Sequence, residues 1–321
     1  MTDRRIPPSP LEPLTRLGAR LGVDLRVKRD DLLPVPGGGS KLRAAVAVLD
    51  ECAARGHDAV VTNGGSQSNH ARVIALEAAR YNMSCALVLH GDPAALGAPT
   101  GNLLLMRLGG ADIYIVPSNQ IDACIRSAVN RLRAAGRDPA VVPGGAHCLT
   151  GTLAYVDAGR ELADQCRTSD WSPDIVVVAS GTGATQAGIL AGLQRAGLPC
   201  EVIGVSVART NPRGTAAVAE LYEEACRQLG LPVRPDSVHF LDGWIGAGYE
   251  KASAQDLGVI RCAAQTEGLV LDPTYSGKAF HALVDLVHDG AIAPASRVVF
   301  WHTGGLVNLL AAGHSDGLSG G

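Results

Sequence analysis

The sequence predicts an α/β fold with mostly parallel, doubly wound sheet structure and helices on both faces, and three observations predict it. Short β-branched runs alternate with Ala- and Leu-rich amphipathic segments along nearly the whole chain. The predicted strands are continuous apolar runs, as in DIVVVAS and RVVFW, which is typical of strands buried between two helix layers. The 39 glycines and the 4% aromatic content also suit an α/β enzyme with many tight turns.

The elements follow one another in strand–helix order. The predicted strands are Asp58–Thr62, Cys85–His90, Asp112–Val116, Ala140–Val142, Asp174–Ser180, Val202–Val207, Leu269–Leu271 and Arg297–His302. The amphipathic helices between them include Leu42–Arg55, Asn69–Tyr81, Gln120–Ala135, Thr152–Arg167, Thr185–Arg195 and Glu250–Thr266. Gly/Pro-rich stretches, PVPGGGS and VPGGAH, bracket several strand–helix units, so we expect a small domain over 50–148 and a large one formed by 1–49 with 149–321. The tail GHSDGLSGG is expected to fray.

Composition excludes several classes of protein. Lys+Arg 28 against Asp+Glu 31 gives a net charge of −3, which does not predict a nucleic-acid partner. No apolar run reaches the roughly 18 residues of a membrane helix, and MTDRRIPPSP lacks the apolar core of a signal peptide. The 8 cysteines include no CxxC pair and the 9 histidines no HxxxH or HExxH spacing, so we expect a cytoplasmic protein without a bound metal.

Five turns stand where ligands bind in open α/β sheets, beyond the carboxyl ends of strands or at a helix start. The first is Gly37–Lys41. It reads either as a flexible loop before a surface lysine or as a reactive amine held at a helix start. The positive end of the helix dipole disfavours an ammonium there, and a free amine can form a Schiff base.

The second turn, Thr62–His70, follows an apolar strand and enters a helix near Ser68. An ordinary N-cap needs one small polar residue, and this turn offers five, which favours a cradle for a carboxylate at a helix N-terminus. The third, Ser180–Thr185, is a glycine-rich strand-to-helix turn that suits a single phosphate better than a dinucleotide, because no clear acidic residue follows at the ribose-binding distance. The fourth, Asp272–Lys278, and the fifth, His302–Gly305, read alone as turns or helix caps.

Together, in this order, the motifs resemble a known family. LTRLGARLGVDLRVKRDDLLP, GGxK, QSNH, GTGAT, DPxYxGK and HTGG are similar to the pyridoxal-phosphate enzymes of the tryptophan-synthase-β fold type, in the branch of D-cysteine desulfhydrase and 1-aminocyclopropane-1-carboxylate deaminase. The resemblance covers nearly the whole chain. It implies two doubly wound, mostly parallel sheets, with pyridoxal 5′-phosphate in a cleft between a large and a small domain. It also implies a small amino-acid substrate and a homodimer.

The resemblance assigns roles residue by residue. Lys41 would form the Schiff base with the cofactor and act as the general base. The cofactor would also be held by Asn69 at the ring hydroxyl, by Gly181, Thr182, Gly183, Ala184 and Thr185 at the phosphate, and by Thr303 at the pyridine nitrogen. The substrate would meet Ser66, Gln67, Ser68 and His70, with Tyr275 and Tyr249 facing it as acid, base or lid and Ser68 counted among the catalytic residues.

These roles predict a lyase. A neutral hydroxyl at Thr303 makes the cofactor a weaker electron sink than a carboxylate would, which suits elimination of a good leaving group. We therefore expect α,β-elimination on cysteine or a close analogue, giving pyruvate, ammonia and a sulfur leaving group. His70 and Ser276, where the deaminases typically carry Gln and Glu, favour this reaction. The cyclopropane deaminase, an L-cysteate sulfo-lyase and a β-replacement transferase stay open, as do the stereochemistry of the substrate and the pathway role.

Two departures concern the cofactor. Ser40 stands before the lysine where the family usually has Asn, and Ala44 stands where it usually has a second lysine near the phosphate. Arg43, Arg209 or Arg213 are the candidates to replace that second lysine.

Overall fold

The protein, seen in a computed structural model that describes residues 5–313 and residue 318, alternates strands and helices throughout. Its strands are β1 (Leu11–Pro13), β2 (Asp24–Arg29), β3 (Ala59–Gly65), β4 (Ser84–His90), β5 (Asp112–Ile115), β6 (Pro139–Val142), β7 (Ile175–Ser180), β8 (Glu201–Ser206), β9 (His239–Leu241) and β10 (Arg297–His302). Its helices are α1 (Thr15–Leu21), α2 (Lys41–Ala54), α3 (Asn69–Arg80), α4 (Gly101–Leu108), α5 (Ile121–Ala134), α6 (Leu149–Thr168), α7 (Ala184–Arg195), α8 (Arg213–Leu229), α9 (Ala254–Glu267), α10 (Ser276–His288) and α11 (Leu306–Leu309).

The larger sheet has six strands in the order β1-β2-β10-β7-β8-β9, and all pairs are parallel except β1 with β2. Every residue of β7 is buried and all but the first of β10, because helices cover both faces of the sheet. The smaller sheet has the order β5-β4-β3-β6 and is parallel throughout. The predicted fold class is therefore confirmed: two mostly parallel sheets with helices around them.

The smaller sheet is built from residues 59–142, a stretch that falls inside the predicted small domain. Its strands pack against α5 on one face, through a small apolar cluster that includes Val61, Val88 and Leu132. The larger sheet has an apolar cluster on each side, and one of them continues into the smaller sheet through residues such as Val60 and Leu87. The domain bounds themselves stay a prediction. The predicted fraying of GHSDGLSGG falls, apart from its first residue and Leu318, outside the described residues.

One predicted strand is wrong. Leu269–Leu271 has no strand partner, although Leu269 and Leu271 are buried in the core of the larger sheet. The carbonyl of Val270 instead accepts a hydrogen bond from Nε2 of His302 at 3.0 Å. The apolar character of the segment therefore reflects burial beside a sheet rather than membership of it. Strands β1, β2 and β9 were not predicted.

The topology brings the ends of six strands to one place. β2, β10 and β7 are neighbours in the larger sheet, and β4, β3 and β6 are neighbours in the smaller one. Since neighbouring parallel strands end at the same edge, each sheet presents three consecutive loops there. In the described part of the chain, no helix is both long and apolar enough to cross a membrane.

Candidate active site

A cavity of about 600 Å³ lies where these loops from the two sheets meet. Eleven of the residues predicted from the sequence line it: Lys41, Ser68, Asn69, His70, Gly181, Thr182, Gly183, Thr185, Tyr249, Tyr275 and Thr303. Three others lie outside its lining. Ala184 is buried at the start of α7, Ser66 lies against Gly91, and Gln67 points toward α4. The volume is in the range of small-molecule sites.

Lys41 is the first residue of α2, and its position is fixed by hydrogen bonds of the preceding residue. The backbone N–H of Ser40 donates to the carbonyl of Thr303 at 3.0 Å. The hydroxyl of Tyr155 donates to the carbonyl of Ser40 at 2.9 Å. These contacts tie the start of α2 both to the end of β10 and to α6, and Lys41 and Thr303 line the same cavity.

The N-terminus of α3 forms a second wall. Ser68 is the N-cap, and its Oγ accepts a hydrogen bond from the backbone N–H of Ala71 at 3.2 Å, which leaves the hydroxyl proton of Ser68 available to a ligand. Gln67 binds the start of α4 instead, since its Oε1 accepts from the N–H of Asn102 at 2.8 Å. Asn102 in turn donates to Oδ1 of Asn69 at 3.1 Å. Gln67 and Asn102 therefore support the turn from behind, and Ser68 and Asn69 face the cavity.

His70 lines the cavity, and one of its ring nitrogens is buried without a hydrogen-bond partner in the described residues. The hydroxyl of Thr62 donates to the carbonyl of Val142 at 2.8 Å, so it accepts from Nε2 of His70 at 3.0 Å. The proton of the neutral ring is therefore on Nε2, and Nδ1 is a buried acceptor with no hydrogen-bond partner in the described residues. Burial, and to a smaller extent the charge of Lys41, lowers the pKa of His70 to about 3.

The glycine turn after β7 places backbone N–H groups at the start of a helix, an arrangement that favours an anion. Gly183 has φ +101°, a value that favours glycine, and it precedes the first turn of α7, whose N–H groups point toward the cavity end of the helix. The guanidinium of Arg209 donates to the carbonyl of Thr182 at 2.6 Å and also lines the cavity. His147 lies beside the same turn, where burial and the charge of Arg209 lower its pKa.

The three arginines that could replace the family's second lysine near the phosphate, Arg43, Arg209 and Arg213, have different surroundings. Arg43 is buried and pairs with Asp30 at 2.8 Å and Glu161 at 2.9 Å on the far side of α2, so it is committed to a structural ion cluster. Arg213 does not line the cavity, although its charge lowers the pKa of Arg209. Of the three, Arg209 alone both contacts the glycine turn and lines the cavity.

Two tyrosines, Tyr249 and Tyr275, form another part of the cavity wall. The hydroxyls of Tyr249 and Tyr275 form a short hydrogen bond, and the rings meet edge to face with centroids 5.8 Å apart. Burial raises the pKa of both phenols, so both are neutral donors near neutral pH. The loop that carries Tyr249 is held by Lys278, whose Nζ donates to the carbonyls of Ile245 at 2.6 Å and Gly248 at 2.8 Å.

Asp272 explains the start of the DPxYxGK motif. Its carboxylate accepts from the backbone N–H groups of Thr274, Tyr275 and Ser276 at 2.8–3.0 Å, and thereby closes the turn before α10. The hydroxyl of Ser276 donates to the same carboxylate at 2.6 Å and is buried. Ser276 therefore supports the turn, and Tyr275 is the residue of this motif that faces the cavity.

Several lining residues were not singled out as site residues from the sequence, among them His90, Gly144, Gly145 and His147. His90 ends β4, and the other three follow β6. The rule that ligands bind beyond the carboxyl ends of parallel strands would have found the ends of β4 and β6. A Cβ on Gly145 would lie 2.8 Å from Oγ1 of Thr182, so the loop after β6 touches the glycine turn only because that residue is glycine.

These groups fit the cofactor that the sequence implies. A phosphate needs N–H donors and a cation, which the glycine turn and Arg209 supply. A pyridine ring and an aldehyde need a hydroxyl and an amine, which Thr303 and Lys41 place in the same cavity.

Comparison with known proteins gives a consistent result. The family model named "Pyridoxal-phosphate dependent enzyme" matches residues 3–304. A D-cysteine desulfhydrase of Salmonella choleraesuis (strain SC-B67) is 33% identical over 308 residues, which cover 95% of this chain and 93% of the relative. The D-cysteine desulfhydrase of Salmonella typhimurium (strain LT2) shows the same identity and coverage. A crystal structure named as that of an ACC deaminase homologue has a TM-score of 0.85 at 33% identity, covering 94% of this chain and 90% of that chain.

Proposed function

The chain belongs to the pyridoxal-phosphate dependent enzyme family and is a lyase of that family, and we propose that it eliminates the β-substituent of cysteine or a close analogue. The products would be pyruvate, ammonia and a sulfur leaving group. The similarity to D-cysteine desulfhydrases supports this choice of substrate. The observation that supports the proposal is that Lys41, the N-terminus of α3 and a pair of neutral phenols line the same cavity.

The cofactor would be held by groups of both sheets. The N–H groups of the glycine turn, with Arg209, would bind its phosphate, and Thr303 would face its ring nitrogen. Asn69 lies where α3 enters the cavity and would face the ring hydroxyl. When bound, the cofactor supplies an electron sink for the pair of electrons that remains on Cα after the α-proton leaves.

The chain's own residues would then orient the substrate and move its protons. The substrate carboxylate would bind at the N-terminus of α3, where the free hydroxyl proton of Ser68 and the first N–H groups of the helix favour an anion. Lys41 would take the proton from Cα as its general base. In the phenol pair one hydroxyl donates to the other, so the accepting hydroxyl keeps a proton for a hydrogen bond to the departing group.

The tyrosine environment favours a good leaving group. A phenol whose pKa is raised by burial is a weaker acid than a free one, so it hydrogen-bonds a departing group but gives up its proton poorly. A hydrosulfide ion leaves without prior protonation, whereas hydroxide does not. This difference supports cysteine over serine as the substrate.

A second candidate is a 1-aminocyclopropane-1-carboxylate deaminase, which the likeness to the ACC deaminase homologue supports. Against it, Ser276 is turned into the fold and bound to Asp272, so no acid follows Tyr275 into the cavity. Ring opening without an acid at that position would depend on the phenols alone.

The test is an assay of the purified holoenzyme with D-cysteine, L-cysteine, L-cysteate and 1-aminocyclopropane-1-carboxylate in separate reactions. Pyruvate and sulfide from one cysteine enantiomer would support the proposal and set the stereochemistry. 2-Oxobutyrate from the cyclopropane amino acid would replace it with the second candidate. Lys41→Ala is the matched control, and product formation by this variant at the wild-type rate would remove Lys41 from the mechanism.

A homodimer and a cytoplasmic location are proposed with this function. Two exposed leucines of α4, Leu104 and Leu108, lie four residues apart, as do Leu306 and Leu310 at α11. The two helices are in contact, so these side chains supply apolar surface of the kind found at subunit interfaces. Light scattering would show a mass of twice 33.1 kDa if the proposal is correct.

A further inference from the structure

Lys278 occupies a place that is unfavourable for a lysine in two ways. It is fully buried, and the removal of an ammonium group from water is costly unless the group is paired or hydrogen-bonded. It is also the third residue of α10, where the positive end of the helix dipole disfavours a cation. A lysine kept at such a position calls for a functional explanation, because local rules of this kind are broken mainly at functional sites.

The ammonium group of Lys278 binds the loop that carries Tyr249. This loop joins β9 to α9, and its residues 242–253 form neither helix nor strand. Nζ of Lys278 donates to the carbonyl of Ile245 at 2.6 Å and to the carbonyl of Gly248 at 2.8 Å. The loop is therefore held at two points, and the second of them directly precedes Tyr249.

Helix α10 positions both phenols of the pair that lines the cavity. Tyr275 is the N-cap residue of the helix and is fixed by it directly. Tyr249 is fixed through Lys278, and its hydroxyl meets that of Tyr275 in a short hydrogen bond. The start of the same loop is also bound to α10, since Asp285 accepts from Nε1 of Trp244 at 2.8 Å. The contact between the two hydroxyls thus depends on one helix, and Lys278 is its link to the phenol that lies on the loop.

We propose that Lys278 is a positioning residue for the reaction: it holds Tyr249 against Tyr275 and thereby fixes the hydroxyl that hydrogen-bonds the departing β-substituent. The inference rests on the proposed function, in which the phenol pair faces the departing group. A hydrogen bond to that group is strongest in the transition state, where negative charge develops on the departing atom. A loop released from Lys278 would adopt other conformations and lose this bond, whereas the groups that would bind the cofactor lie on other elements.

The test compares wild type with Lys278→Met, which keeps the length of the side chain and removes its hydrogen-bond donors. Cysteine and 3-chloroalanine of the same enantiomer are the two substrates, because chloride leaves without the help of a hydrogen bond. We expect the substitution to lower kcat for cysteine on the order of tenfold or more, and kcat for 3-chloroalanine less than about threefold. The KM of each substrate and the affinity for pyridoxal phosphate should change less than about threefold, since the lost contact is made in the transition state.

A double variant shows whether Lys278 acts through Tyr249. The double variant of Lys278→Met with Tyr249→Phe should turn over cysteine as fast as the slower single variant, within about threefold, whereas independent effects would multiply. Lys251→Met is the matched control, because Lys251 is exposed in the same loop and its replacement should leave both rates unchanged.

Two further measurements decide the question if Lys278→Met folds poorly. Gly248→Ala leaves Lys278 in place and disturbs its partner, because Gly248 has φ +131°, which favours glycine, and the space around it is open. This variant should show the same difference between cysteine and 3-chloroalanine. Hydrogen exchange of the holoenzyme, read by mass spectrometry, reports on the loop without turnover, and peptides from residues 242–253 should exchange about fivefold faster in either variant than in wild type.

Equal losses with the two substrates would overturn the inference, because they would show a general effect on the cavity. So would effects that multiply in the double variant, or a loop whose exchange is unchanged in both variants. The proposed function fails separately, if wild type forms no pyruvate from either enantiomer of cysteine. The exchange comparison does not depend on turnover and would still decide whether Lys278 holds the loop of Tyr249.

Discussion

Replacement of His70 by glutamine should remove a large part of the loss of stability that the protein shows in mild acid. The native His70 ring is neutral, since its Nε2 proton is used by Thr62 and its Nδ1 is buried beside Lys41. Its native pKa is about 3, against about 6.5 for an unfolded histidine. The unfolded chain therefore binds a proton between these values that the native protein does not bind.

This difference in pKa between the native and unfolded states sets the sign and the size of the change in stability with pH. Because the unfolded state takes up the extra proton, stability falls as the pH decreases below about 6.5, and it is fully present above that value. At pH 5.0 the unfolded ring is about 1.5 pH units below its pKa and the native ring is still neutral. At about 1.4 kcal/mol per unit, His70 lowers the free energy of unfolding by about 2 kcal/mol at pH 5.0 relative to pH 7.5.

The assay is urea denaturation followed by circular dichroism at pH 7.5 and 5.0, with saturating pyridoxal phosphate. His70→Gln keeps an N–H that reaches Thr62 and removes the titration, while the other acidic and basic groups are common to both proteins. Wild type should lose about 2 kcal/mol more than the variant between the two pH values. A loss that is equal in the two proteins would refute the inference that His70 is held neutral in the native state.

Three further substitutions test other parts of the site. Arg209→Gln should weaken cofactor binding at least tenfold, because it removes the cation beside the glycine turn. The control variant Arg213→Gln should change the affinity for the cofactor less than threefold. Fluorescence titration with pyridoxal phosphate measures both affinities, and equal effects of the two substitutions would contradict the assignment of Arg209 to the phosphate. Asp30→Asn should cost about 3 kcal/mol of stability, because the buried guanidinium of Arg43 loses a charged partner; a loss in thermal denaturation below about 1 kcal/mol would contradict it. Tyr275→Phe should lower kcat on the order of 100-fold with cofactor affinity kept, and full activity would make this tyrosine a packing residue.

The central strands could be predicted from the sequence because their burial on both faces leaves a local pattern. The run Ile175–Ser180 is apolar or small at every position and forms β7. β2 could not be predicted in this way, since its sequence, DLRVKR, alternates apolar and charged residues. Lys28 is nevertheless fully buried, and its burial is tolerated because Glu161 and Gln165 from α6 accept hydrogen bonds from its ammonium group. Only the tertiary structure supplies those partners.

Some residues of the candidate site likewise could not be predicted from the sequence, because only the tertiary structure brings them to the cavity. The sequence pointed to turns with unusual numbers of glycine and small polar residues, and most of these residues line one cavity. His90 carries no such local signal. A histidine that ends a strand becomes noteworthy only when the structure shows that it lines the cavity. Gln67 shows the opposite case, because a polar residue in the expected motif is used to hold α4.

Arg72 shows how the two halves of the site are held in register. It lies one helical turn after Ser68 on α3, and its buried guanidinium donates to the carbonyls of Pro36 and of Gly38, the latter at 2.8 Å, in the loop that leads to Lys41. Burial lowers its pKa to about 10, so it stays cationic at neutral pH. One planar side chain thus connects the helix that would bind the carboxylate of the substrate to the loop that presents the lysine. A lysine at this position could not reach both carbonyls with the fixed geometry of a guanidinium. The distance between the turn that would bind the carboxylate and Lys41 is therefore set by the fold before a substrate arrives, which is the preorganisation that removal of a proton from Cα requires.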